Sequence, residues 1–156
     1  MMKTVLRSHI LPVVLAAAAT LTAARAAEPV QLITREEAGL PAAATAVAST
    51  RNITRGPGID TLPTPDKGVD GKPFRLAVRF MPSNGVPIDP ATVRVFYRRQ
   101  PPVDITERVK PFITPAGIDA PSVVVPPGSH VLEIEATDKE GRTGRRQLKL
   151  TVAPSQ

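Results

Sequence analysis

The side chains of this 156-residue sequence that could do chemistry are few, and most of them crowd into its last third. His130 follows Ser129, a base beside a hydroxyl of the kind nucleophilic catalysis uses. Both lie in an alternating run, where neighbours point to opposite faces of a strand, so the two side chains diverge and no dyad is expected. Glu133 and Glu135 point the same way about 7 Å apart, within the range separating paired glycosidase carboxylates. Arg98-Arg99 forms one basic cluster, and Arg142 with Arg145-Arg146 forms another that could hold a phosphate or an acidic polysaccharide. Asp138 and Glu140 have nothing nearby to complete the six or more oxygens of a calcium site.

These residues need positioning, and the stretch Pro126 to Val152 supplies it. Leu132, Ile134 and Ala136 alternate with Glu133, Glu135 and Thr137, and Leu148, Leu150 and Val152 alternate with Gln147, Lys149 and Thr151. That is the period of two half-buried strands. Asp138 to Arg142 supplies the turn between them, with Gly141 free to take positive φ. Two strands cannot bury one apolar face alone, so earlier segments must cover it. Phe74, Leu76, Val78 and Phe80 form a further alternating strand, and Val93, Val95 and Tyr97 another. Asn84-Gly85 and Asp89-Pro90 break the chain between them. Ile59 to Leu62 reads as a short first strand. Val103 to Thr106, Val109 to Ile113 and Ser122 to Val125 read as short edge strands cut by proline or glycine. About seven strands in just under a hundred residues, with turns roughly every ten, predict an all-β fold: a single antiparallel β-sandwich.

Length allows one domain, and the composition (18 prolines, 10 glycines, no cysteine, no tryptophan) suits short strands and many turns. Lys3 and Arg7 precede an apolar run from Ile10 to Leu21, and Ala24-Arg25-Ala26 follows with small residues at cleavage spacing. Residues 1–26 therefore read as a secretory signal peptide, since the run is shorter than the roughly 20 residues of a membrane span. The expected address is periplasmic or secreted, with stability left to core packing because no disulfide can form. Thr34 with Glu37 has the form of a helix cap, yet Gly39 and Pro41 limit any helix to a turn or two. Ala42 to Thr50 is of low complexity, so residues 27–57 read as a flexible leader, 58–153 as the sandwich and 154–156 as a tail. Asn52-Ile53-Thr54 matches a glycan acceptor. The chain carries +6, and loss of Lys3, Arg7 and Arg25 with the signal leaves +3. So small an excess, without aromatic stacking platforms, gives no expectation of nucleic-acid binding.

Gly71 to Leu76, Ile88 to Val95 and Pro126 to Leu132, with Ala136-Thr137-Asp138 and Gly141-Arg142 downstream, resemble bacterial immunoglobulin-like domains of exported proteins. The resemblance covers roughly residues 57–153, without the cysteine pair and core tryptophan of antibody-type domains. It implies a stalk, adhesion or binding module, usually without catalysis; fold alone assigns no ligand. It also implies that the third, sixth and seventh strands share a sheet, which sets Glu133 and Glu135 between Arg94 and Arg98 on one side and Lys149 on the other. Cross-strand ion pairs then account for the glutamates. In that sheet the third and seventh strands run parallel, so Arg98-Arg99 and the Arg142, Arg145, Arg146 trio fall at opposite ends.

Small periplasmic copper carriers look similar in size and in their opening strand pattern. They rely on histidines or methionine clusters, whereas this chain offers His130 and Met81 alone beyond residue 26. Phe96 is the one aromatic that alternation turns outward, either under Pro101-Pro102 or as a partner anchor. The expectation is a non-catalytic binding or structural module whose partner is an envelope protein or glycan. Phe96, Arg142, Arg145 and Arg146 are its candidate contacts, with no catalytic residue, metal or cofactor.

Overall fold

The computed structural model describes residues 28–43, 56–62, 68–69 and 72–154. The expected signal segment, the glycan pattern at Asn52 and residues 44–55 of the expected leader lie outside these. The described chain forms β1 (Val30–Gln31), α1 (Arg35–Ala38), β2 (Gly58–Thr61), β3 (Gly68–Val69), β4 (Phe74–Met81), β5 (Arg94–Tyr97) and β6 (Val103–Asp104). There follow α2 (Thr106–Val109), β7 (Ile113–Thr114), β8 (Gly117–Val124), β9 (Gly128–Thr137) and β10 (Thr143–Ala153). Two sheets result, one ordered β1-β8-β4-β2 with β7 also on β8, the other β3-β10-β9-β5-β6. The fold is an all-β sandwich, antiparallel except where β1 joins β8 and β3 joins β10.

The alternating runs form the expected strands. Leu76, Val78 and Phe80 from one sheet meet Val95, Tyr97, Leu132, Ile134, Leu148, Leu150 and Val152 from the other, all buried. Phe74, expected in the core, is half-buried at its margin. The β9–β10 hairpin pairs without interruption from Thr137↔Thr143 to Gly128↔Val152. In its loop Asp138 Oδ1 accepts the backbone N–H groups of Glu140 (3.0 Å) and Arg142 (2.9 Å), and Gly141 takes φ +81°. A side-chain carboxylate thus supplies the acceptors that a five-residue turn lacks.

Three expectations are corrected. Of the expected edge strand Ser122 to Val125, Ser122 to Val124 is the end of β8, a central strand with neighbours on both sides rather than an edge. Phe74 pairs with Val123 but Leu76 with Ala120, so Pro121 and Ser122 together face Arg75. This bulge accommodates a proline that a regular ladder would reject. Of Val109 to Ile113, only Ile113 enters a strand, β7. Asp104 Oδ1 accepts the Thr106 N–H (2.8 Å) and opens α2, which runs into a single 3₁₀ turn at Lys110–Phe112. Ile105 and Thr106 still serve the edge of β5: Ile105 N–H reaches the Val95 carbonyl (2.9 Å) and Thr106 Oγ1 accepts the Val95 N–H (2.9 Å).

The third correction concerns the expected leader, since residues 28–43 form a strap belonging to the sandwich. β1 adds to β8, Leu32 and Ile33 are fully buried, and Ala42 bridges to Arg99. Only the short helix at Arg35 was foreseen, and Thr34 and Glu37 close the capping box their spacing suggests.

Gly117 shows how closely the strands are set. Its φ is +154°, and a Cβ there would collide with the Val78 carbonyl. Gly117→Ala should cost about 1–3 kcal/mol from backbone conformation alone, with more for parting β4 from β8. Urea denaturation measures it, and an unchanged midpoint would contradict this packing.

Candidate functional site

The solvent face of the β10-β9-β5 sheet carries most of the candidate residues in cross-strand rows. In one row Arg94 faces Glu135, which faces Arg145; in the next Phe96 faces Glu133, which faces Gln147, with Asp104 beyond Phe96. Glu135 Oε1 receives Arg145 Nε at 2.6 Å. Glu133 Oε2 accepts Gln147 Nε2 at 3.1 Å and has Arg98 Nε 3.7 Å away. The glutamates therefore sit in ion pairs, as expected, but the partner on β10 differs. Lys149 faces Val131, and Arg145 takes the place assigned to it. Each carboxylate has a cation alongside. Phe96 is half-buried rather than fully presented.

The hairpin trio is divided. Arg142 is spent inside its own loop: Nε meets Asp138 Oδ2 at 2.7 Å, a terminal nitrogen reaches Glu140 at 3.2 Å, and the same nitrogen donates to the Ser83 carbonyl at 3.3 Å. Burial alone would raise the Asp138 pKa. The hydrogen bonds from Arg142's backbone and guanidinium and from the Glu140 N–H outweigh it and hold the carboxyl below its ordinary value. Arg145 and Arg146 remain exposed on opposite faces of β10, and Arg146 has no ion-pair partner among the described residues. Arg98 pairs with Val131 near the start of β9, far from this hairpin, so the two basic clusters do lie at opposite ends.

His130 is buried and fully bonded. Its Nδ1 lies 2.8 Å from the Tyr97 hydroxyl and its Nε2 2.8 Å from the Pro126 carbonyl. Pro126 can only accept, so Nε2 carries the proton and Nδ1 accepts from Tyr97. Arg99 Nε donates to the same hydroxyl at 2.7 Å, and its guanidinium carbon lies 4.8 Å from the Tyr97 ring centre. Ser129 points to the opposite, exposed face. Met81 stands at the Gly58 end of β4, beside the hairpin, at the opposite end from His130. The two candidate copper ligands are not brought together. No group of three or more His, Cys, Asp or Glu among the described residues is placed to hold a metal ion.

A further site was not foreseen. Arg108 on α2 forks onto Glu37 of the strap, at 2.7 Å and 2.6 Å, and donates to the Leu32 carbonyl at 2.9 Å. The Arg108 hydrogen bonds hold the Glu37 carboxyl below its ordinary value, against the opposing effect of burial. Leu32 N–H meanwhile donates to the Val124 carbonyl at 3.0 Å. The one sequence signal for this site was the cap at Thr34 and Glu37; its partner lies 71 residues away.

No model of a protein family matches the sequence, and no curated protein matches it. No helix among the described residues is long and apolar enough to cross a membrane.

Proposed function

We propose that the chain is an exported, non-catalytic binding or structural module with an immunoglobulin-like sandwich, acting in the periplasm or outside the cell on an envelope protein or glycan. One observation carries this reading. Tyr97, His130 and Asp138, the buried ionisable side chains among the described residues, are each tied into internal hydrogen bonds. Groups held this way orient the backbone. Catalysis asks instead for a base left within reach of a substrate.

The exposed pair Arg145 and Arg146 favours an acidic polysaccharide as a second reading, with Arg142 supporting the loop rather than the ligand. Tagged protein from residue 27 onward, incubated with envelope proteins and glycans at low and high salt, tests both. Capture that survives high salt supports a specific partner. Capture lost with salt, and lost again in Arg145→Gln/Arg146→Gln, supports the acidic polymer. No capture at either salt overturns the binding-module reading.

A further inference from the structure

The strap is held by contacts that do not require it to belong to the same chain. β8 offers its edge to Val30 and Gln31 and its Val124 carbonyl to the Leu32 N–H. Arg108 reads one backbone carbonyl and, four positions after Ile33, one carboxylate. Between these points Leu32 and Ile33 fill the core completely, whereas α1 buries none of its own residues. Backbone pairing for affinity, side-chain pockets for selectivity and an arginine fork for a carboxylate are the parts of a strand-addition peptide site.

We infer that this groove between the β8 edge and α2 is a peptide-binding site that the chain's own strap occupies. Its ligand in trans is a partner segment that is extended through two adjacent aliphatic residues and then takes one helical turn carrying a carboxylate four positions after the second. The inference rests on the reading of the chain as a binding module and names a site for it away from the Arg145–Arg146 hairpin. The strap pairs with β8 through only two residues and joins the sandwich through residues 44–55. Because the strap belongs to the same chain, its competition is intramolecular, and a ligand must displace it.

The test titrates a fluorescein-labelled synthetic peptide of residues 28–43 with protein from residue 27 onward, read by fluorescence anisotropy. The unaltered protein should bind weakly, because its own strap competes. Glu37→Gln weakens that strap and leaves the groove intact, so this protein should bind the unaltered peptide at least about ten-fold tighter. Adding Arg108→Met to Glu37→Gln should abolish the gain. Thr34→Ala, which loses only the strap's helix cap, should act in the same direction as Glu37→Gln and serves if the latter misfolds by circular dichroism. No gain in either strap variant, or a gain indifferent to Arg108→Met, overturns the inference. Arg145→Gln/Arg146→Gln should leave peptide binding unchanged, so failure here and failure of the salt-dependent capture are separate results.

Discussion

Replacing Leu32 by alanine should lower the stability of the whole sandwich by about 2–5 kcal/mol, the usual cost of emptying a fully buried leucine site. Its side chain has no exposure and lies in the same core as Leu76, Tyr97 and Leu132. Collapse around the gap is restrained. The strap is fixed on one side of Leu32 by its ladder to Val123 and Val124 and on the other by Arg108 on the Leu32 carbonyl and on Glu37. A loss of this size is a large fraction of a domain's stability. Leu40→Ala is the control, since Leu40 lies outside the buried core. Urea denaturation of both variants checks the claim. Equal midpoints for the two would mean that the strap adds nothing to the core, and the groove described above would lose its basis.

That residue also shows where the sequence is silent. A strand that buries one face of several residues declares itself by alternation, which is why β4, β5, β9 and β10 and the side chains they bury are legible. Leu32 and Ile33 are two adjacent aliphatic residues beside a low-complexity run, and a pair has no period. β8 was concealed by Pro121, which reads as a terminator unless the bulge opposite Arg75 is known. α2 depends on Asp104 accepting one N–H, too local a device to outweigh the β-branched residues around it. The glutamate pairs were half legible. Their cationic neighbours followed from the strand order that the resemblance implies, but Lys149 was set against them where Arg145 and Gln147 stand. The five-residue loop from Asp138 to Arg142 decides the matter: Thr137 must face Thr143, and counting back places Glu135 opposite Arg145. Arg142 was misjudged for another reason. An arginine in a turn looks solvated until the buried Asp138 four residues before it is seen to need a counter-charge.

His130 should prove as important to stability as any apolar core residue, and its loss should change how stability depends on pH. His130→Leu keeps much of the volume but leaves the Tyr97 hydroxyl without its acceptor and the Pro126 carbonyl without its donor. Two buried polar groups stripped of partners cost about 2–5 kcal/mol together. Tyr97 is itself buried, and Arg99, which donates to it, has its backbone in the bridge to Ala42, so the loss spreads to the strap. Burial lowers the His130 pKa below its ordinary 6.5, assisted by the charge on Arg99 and opposed by the Pro126 carbonyl. Between 6.5 and that lowered value the unfolded chain binds a proton that the folded protein refuses. Stability is therefore full above about pH 6.5 and falls as the solution is acidified through this window, by up to about 1.4 kcal/mol per pH unit. A chain without His130 should lack that fall, so the gap between the two proteins should narrow from pH 8 to pH 5. Once residues 1–26 are removed no other histidine is present to produce the slope. Urea midpoints across that range decide it: a variant that keeps the same decline would show that His130 takes up its proton in the folded state as readily as in water, against its burial and the charge on Arg99.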